Sequence, residues 1–502
     1  MAVATASNAA SRPGEIALRD ERRELTWAQA DDLLNRAVNA LLPLGPGTRV
    51  AVYAENSAET VLAHVAGLLA GMSVVPVNFH LTAAETAYIL GDSRAALLLT
   101  GPENAARAVE AARLAGISRV IAWRCRDVPG AEPWEDVLAA ASPAEPPSDL
   151  EPRPNLLYTS GTTGVPKGAP LPPNMFAGGR TIAEHVEALR EQPLTMLGPH
   201  LAVSPLYHTG PLIGVRAFAA GNELGVLGRF DAERVLRAID RWRPLASVMV
   251  PTHFVRLLEL PRAVRDRYDP SSLALVAHTG SSCPVEVKRA MIEWWGPVLV
   301  EAYGATEAGT VAVIDSSDWL ARPGSVGRPV PPFETLVVDE AGDPVPAGTE
   351  GRLYFRDPTG RGVLYEGDPD KTAAAHLEPG VFTLGEIGYV DADGFVYLTD
   401  RFSDMVVSGG VNLYPAEAEK VLFEHPGVAD AACVGVPHPE MGEELKAVVV
   451  ARDGAVTEDE LIAFCRDRLT HFKCPRSVDF VAELPRTEMG KLNKRELRAP
   501  YW

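Results

Sequence analysis

Cysteine is scarce in this 502-residue chain, and the five present (Cys125, Cys283, Cys433, Cys465 and Cys474) form no CxxC pair and no metal-type spacing with histidine. That excludes a disulfide scaffold and a zinc ribbon; an odd number without a framework reads as reduced thiols in a cytoplasmic protein. Positive charge is also short, with 47 Lys plus Arg against 66 Asp plus Glu and a formal net charge of −19. Such a surface repels a phosphate backbone, which argues against nucleic acid and leaves any polyanionic ligand to a few local donors. Long apolar runs are missing too. The longest, residues 61–77, is broken by His64, Gly71, Ser73 and Pro76, and predicts a buried helix and a strand rather than an integral membrane span. No basic segment followed by an apolar one opens the chain, so no secretory signal is read.

What the chain does have is alternation. Residues 48–54, 73–78, 95–100 and 119–122 carry strand-like apolar runs, and 57–70 has helical spacing with Ser57 placed as N-cap. This predicts a layered α/β domain with a parallel sheet. The proline-rich acidic stretch 141–154 reads as an ordered linker, and a second α/β stretch runs to about residue 329. Between 330 and 400, short β runs separated by turn sequences predict a small β-rich subdomain. The last hundred residues predict a separate α+β unit, with strands over 429–436 and 445–451 and helices over 415–423 and 457–469. Thr457 and Glu460 suggest a capping box for the second helix. The expected class is therefore α/β: a large N-terminal domain of layered subdomains (1–400), then a small mobile α+β domain (401–502). Charge reverses locally, with nine Lys/Arg against five Asp/Glu from 466 to 498, a place where an anionic ligand could meet the small domain.

Thr159-Ser160-Gly161-Thr162-Thr163-Gly164-Val165-Pro166-Lys167 follows a strand-like run. Its glycines let backbone N–H groups approach phosphate oxygens, its hydroxyls donate further bonds, and Lys167 adds charge. It is not a Walker A loop, because the lysine is followed by Gly168 and the spacing differs.

Together with Glu301-Ala302-Tyr303-Gly304-Ala305-Thr306-Glu307, Asp400-Arg401 and Pro485-Arg486-Thr487-Glu488-Met489-Gly490-Lys491, this loop resembles the adenylate-forming superfamily. Val250-Pro251-Thr252 and the run 409–415 (GGVNLYP) point to its acyl-CoA synthetase branch. The resemblance implies that a carboxylic acid reacts with ATP to give an acyl-adenylate, whose acyl group passes to coenzyme A. It implies Mg²⁺ near Glu307, Thr306 on the α-phosphate, and Lys491 as the catalytic cation of the first step. Thr159, Ser160, Gly161, Thr162, Thr163 and Lys167 would close over the outer phosphates. Gly280, Ser281, Ser282 and Tyr303 would border the adenine, with Glu386 and Arg401 at the ribose. His208 and Gly304 would line the acyl pocket, and Ser403 would be the hinge. Ser408, Gly409 and Gly410 would admit the pantetheine arm, with Lys473 and Arg476 at the CoA phosphates.

Three departures accompany these matches. Leu384-Gly385-Glu386 stands where the family has Thr-Gly-Asp, Ser403 lacks the usual hinge charge, and Pro170, Pro172 and Pro173 follow the phosphate loop. They motivate a narrower alternative, a ligase weak in adenylation that makes thioester from a supplied acyl-adenylate. Transfer to a separate carrier protein, a nucleotide-binding regulator without turnover, and an oxygenase of the same fold are further readings. The segments 208–220 and 221–229 are rich in Gly, Ala, Val and Leu, with Arg216 and Arg229 their only permanent cations. An apolar monoacid is the expected substrate, and a homodimer is compatible with the sequence.

Overall fold

The computed structural model describes the chain except residues 1–3, 160–165, 281–282, 284, 340, 367, 402–405, 414, 453–455 and 486–493, and the side chains at 159, 399–401, 412, 416 and 495. The first sheet is parallel, with Ser73–Pro76, Arg49–Tyr53, Leu97–Thr100, Val120–Ala122 and Glu132–Pro133 side by side. Its strands are buried on both faces, which explains their unbroken apolar runs. Leu97 and Leu99 enter one core cluster while Leu98 enters another, because successive side chains leave a strand on opposite faces. Helices Trp27–Leu41 and Ala58–Leu69 cover the first face; Ala83–Ser93 and Ala105–Ala115 cover the second. Ser57 caps Ala58–Leu69 through the Thr60 N–H, as its position predicts.

The second sheet positions the site. Strands His200–Ala202, Ala246–Met249, Leu275–His278 and Leu299–Ala305 are parallel neighbours, and the segments that leave them carry Ser204, Val250, Gly280 and Thr306. An open parallel sheet binds its ligand beyond the carboxyl ends of its strands, so these four segments define one rim. The expected β-rich segment is present and continues the second sheet. Strand Ser325–Pro329 pairs with Gly309–Asp315 on one side and with Val396–Arg401 on the other, making one continuous fifteen-stranded sheet.

The last sheet joins Val411–Leu413, Val406–Ser408, Gly442–Ala451 and Val428–His438, with Ser477–Phe480 parallel to Gly442–Ala451. It has its own core, including Leu422, Cys433, Leu445 and Leu461. Thr457 caps helix Glu458–Arg466, but the box is only half made: the Glu460 carboxylate turns to His425 at 3.6 Å instead of back to the cap. All five cysteines are free, and no described helix is long and apolar enough to cross a membrane.

Candidate active site

The phosphate-type loop is flanked by two paired strands. Leu156–Thr159 pairs antiparallel with Lys167–Pro170, so Thr159 and Lys167 face each other across its base. The Tyr158 hydroxyl fixes the first of these strands to Asp92 at 2.6 Å. Ser160 to Thr163, Ser281, Ser282, Ser403 and Lys491 lie outside the described residues, as do the side chains of Thr159 and Arg401. Lys167 is 3.5 Å from Asp368, the N-cap of helix Pro369–Ala374.

Across the rim lies a cavity of about 1790 Å³ whose wall includes Gly280, Tyr303, Thr306, Glu307 and Glu386. Gly304 and His208 share it, as do Gly409, Gly410 and Arg476 from the last sheet. The sheets thus bring every described candidate into one space except Lys167, Ser408 and Lys473. Gly304 is sterically required. A Cβ there would meet the Gly309 carbonyl oxygen at 1.9 Å, since the two strands cross closely.

Polar groups fix the wall. The Tyr303 hydroxyl donates to Glu386 at 2.6 Å, and Glu386 is buried on a strand whose first residue pairs in register with Arg401. The Tyr365 hydroxyl donates to Glu307 at 2.6 Å, and the Thr209 and Thr306 hydroxyls are 3.1 Å apart. The Lys371 ammonium lies 3.7 Å from the Tyr365 ring centre; burial lowers its pKa, with Glu307 and Asp368 opposing the shift. Tyr365, Lys371 and Thr209 were not expected at the site. The Asp-Pro pair at 368–369 does mark a helix start, but only long-range packing carries that helix to Glu307.

Glu301 completes the floor. Its carboxylate takes a 2.6 Å bond from Lys288, which is fully buried over the Trp319 ring, with His278 at 3.8 Å. Burial works against both charges, lowering the pKa of Lys288 and raising that of Glu301. His208 lies by Tyr207, and burial, helped by His80, pushes its imidazole down to about 4, so it is neutral at pH 7.

One part of the wall is apolar, with Leu194, Ile213, Val248 and Ala277 packed together. Arg216 does not line it: its guanidinium is buried behind Met175, donating to that residue's carbonyl at 3.0 Å. Arg229 does reach the cavity, but Glu55 holds it at 2.6 Å.

The last sheet docks on this rim. Gly410 has φ +79° and lies so close to Val250 that a Cβ would approach its side chain to 3.1 Å. Arg256 pairs with Glu440, and Phe472 packs edge-on against His80. Lys473 is not free for a ligand in this arrangement. Its ammonium is shared by Glu417 at 2.8 Å and Glu85 at 3.1 Å, and Thr470 donates to Glu85 at 2.7 Å. Burial opposes all three charges; pairing outweighs it for Lys473, whose pKa rises, and for Glu85, whose pKa falls, while that of Glu417 is raised.

Residues 5–363 match the family model described as AMP-binding enzyme, and 417–491 match the AMP-binding enzyme C-terminal domain. The chain is 34% identical over 499 residues to a feruloyl-CoA synthase of an Amycolatopsis species, covering 97% of this chain and 96% of that protein. Among solved structures it resembles the amide bond synthetase McbA of Marinactinospora thermotolerans, with TM-score 0.84, 30% identity and 99% of both chains covered. It also resembles o-succinylbenzoate CoA synthetase of Bacillus subtilis. The complex of its double mutant with a product analogue, OSB-NCoA, superposes with TM-score 0.82 at 26% identity, covering 99% of this chain and 98% of that one. The AMP complex of the same enzyme, at 25% identity and equal coverage, gives only 0.65.

Proposed function

The chain belongs to the AMP-binding, adenylate-forming enzyme family, and on that premise we propose that it is an acyl-CoA ligase activating an apolar carboxylic acid. The observation that carries this reading is the shared cavity. Nucleotide-type residues (Tyr303, Thr306, Glu307, Glu386) and the glycine pair Gly409-Gly410 open into one space, part of whose wall is apolar. In the first step the acid's carboxylate attacks the α-phosphate of ATP, forming the acyl-adenylate and releasing pyrophosphate. Two anions must meet, so cations and donors must be fixed in advance where charge develops. Thr306 is assigned to the α-phosphate, with Lys167 and Lys371 beside the outer phosphates. Lys491 supplies the ammonium that bridges acid and phosphate in this step, and Glu386 holds the ribose with Arg401.

Glu307 fits a Mg²⁺ ion. A hard cation of this kind is commonly held by one or two carboxylates together with substrate phosphates, and no described group of three acidic, His or Cys residues competes for it. When bound, the ion neutralises the phosphate charge.

In the second step a thiol attacks the acyl carbonyl and AMP leaves. We assign residues 1–400 to the adenylating body and 401–502 to a unit that rotates about Ser403 between the steps. The better superposition on the product-analogue complex than on the AMP complex of one and the same relative supports reading this structure as the thiol-transfer arrangement. The glycine pair on the rim, which leaves room for a pantetheine arm, agrees with it. Leu194, Ile213, Val248 and Ala277 favour an apolar monoacid, since neither Arg216 nor Arg229 offers a free charge to a second carboxylate. The cytoplasm, where CoA and reduced thiols occur, is the assigned compartment.

The test is acid-dependent exchange of labelled pyrophosphate into ATP across fatty, aromatic and polycyclic acids, followed by mass spectrometry of products with CoA. Exchange and a thioester with one acid class support the reading. The likeness to an amide bond synthetase makes an amine acceptor the second reading, and amide formed with amines in preference to thioester would replace the first.

A further inference from the structure

Arg216 is a charge buried without a counter-charge. It sits on helix Leu212–Ala219, which packs against Ala58–Leu69, and it is only 7% exposed. Its Nη1 donates to the Met175 carbonyl at 3.0 Å. Nε and Nη2 carry three of the five guanidinium N–H groups, and both are buried with no hydrogen-bond partner among the described residues. Burial alone pushes its pKa down to about 10, with no described carboxylate opposing the shift, so the group is still charged at pH 7. Capping the Met175 carbonyl does not explain this arrangement. A neutral amide would cap it equally well, whereas a buried charge without a partner is costly.

A second cavity, separate from the active-site cavity, lies against this side chain. It measures about 20 Å³ and is bordered by Arg216, His64, Arg153 and Asn155, with Met72, Val74, Leu212 and Val215 among its apolar walls. Such a volume holds one particle about the size of a water molecule and excludes phosphate, sulfate and carboxylates. His64 Nδ1 is also buried with no partner among the described residues. Burial holds its imidazole down to about 3, so at pH 7 its Nδ1–H tautomer offers a donor without adding a second positive charge. Arg153 is exposed and Asn155 half-buried, which places the surface on their side of the cavity. Glu151 holds Arg153 at 2.8 Å but does not border the cavity, so no acidic residue lines it. A water in this space would accept from the donors and leave the Arg216 charge uncompensated. A monatomic anion does both.

We propose that this cavity binds a single chloride-sized anion, held by Arg216 Nε and Nη2 and by His64 Nδ1. The site stands independently of the ligase reading. Arg216 also carries the Met175 carbonyl, and Met175 lines the active-site cavity, so the ion would support that wall from behind.

The experiment follows urea unfolding of the full chain at constant ionic strength while gluconate, too large for the cavity, is replaced by chloride. The wild-type midpoint should rise and then saturate. An anion that binds only the folded chain, at ten times its dissociation constant, multiplies the folded-to-unfolded ratio about elevenfold. Arg216→Met keeps an apolar stem, loses the donors and should not respond to the exchange. An equal rise in both proteins would be a general salt effect and would overturn the site, as would a wild type that does not respond. Should Arg216→Met fail to fold, wild-type crystals grown in bromide decide the matter. An anomalous peak in contact with Arg216 Nη2 and His64 Nδ1 supports the site; no peak there, as with a water in its place, overturns it.

Discussion

Glu85→Gln isolates one charge at the junction between the last sheet and the rest of the chain. Glu85 caps its own helix by accepting from the Thr82 N–H and hydroxyl, both at 2.9 Å, through the oxygen that also accepts from Thr470. Its second oxygen takes the 3.1 Å bond from Lys473. Glutamine keeps the capping bonds through its amide oxygen, as it can in a capping box, while its amide NH2, a donor, replaces the oxygen that faces the ammonium, so the attraction to Lys473 is lost. The side chains of Glu85 and Lys473 are 21% and 10% exposed, so water screens the pair little. A hydrogen bond to a charged partner contributes about 1.5–3 kcal/mol, and a loss of about 2 corresponds to roughly thirtyfold in an equilibrium. If the contact holds the thiol-transfer arrangement, single-turnover thioester formation from preformed acyl-adenylate and CoA should fall by roughly that factor. Acid-dependent pyrophosphate exchange should hold or rise, because the competing arrangement gains population. Equal loss in both half-reactions, or thioester formation at the wild-type rate, would refute the assignment of Lys473 and Glu85 to this junction.

Gly410→Ala forces a left-handed residue against Val250, at about 1–2 kcal/mol for the backbone alone. Quenched-flow assays should show slowed thioester formation with pyrophosphate exchange intact. Lys288→Met leaves the Glu301 carboxylate buried without its partner, so chemical denaturation should show a loss of about 3–5 kcal/mol. Adding Glu301→Gln should recover much of it; no recovery would mean that packing, not charge, sets the cost. Stability should also fall steeply on acidification. His64 and His253 are pushed down to about 3, His200 to about 4 and His278 well below 6.5, by burial in each case. They stay neutral in the folded state and protonate on unfolding below pH 6.5, so each contributes up to about 1.4 kcal/mol per pH unit, lost as pH falls toward the folded values. His64→Leu should flatten the slope of denaturation free energy between pH 7 and 5.

The legible parts of this protein were those written in local pattern. Ser57 and the run at 95–100 announce a cap and a buried strand because periodicity and side-chain oxygen act within a few residues. The cluster Tyr303, Thr306 and Glu307 was legible through motif, and the fold places these residues with Glu386 around one cavity. Lys371 and Tyr365 escaped because their approach to Glu307 depends on a helix and loop far along the chain. Lys473 misled for a related reason: in sequence it is one cation in a basic run, and only packing gives it Glu85, 388 residues away. The β-rich segment reads as a small subdomain because its turns are dense. Pairing at Ser325 and Gly327 then fuses it to the central sheet, a link between distant strands that no local signal carries.

The central claim is that one cavity carries both half-reactions. The most direct measurement runs two arms on one acid: acid, ATP, Mg²⁺ and CoA in the first, preformed acyl-adenylate and CoA in the second, with thioester read by mass spectrometry. Wild-type enzyme should give product in both, and Lys491→Ala should lose the first while keeping the second. Product from the adenylate alone in the wild type would contradict a complete ligase, and no thioester in either arm across the acid panel would contradict the account as a whole.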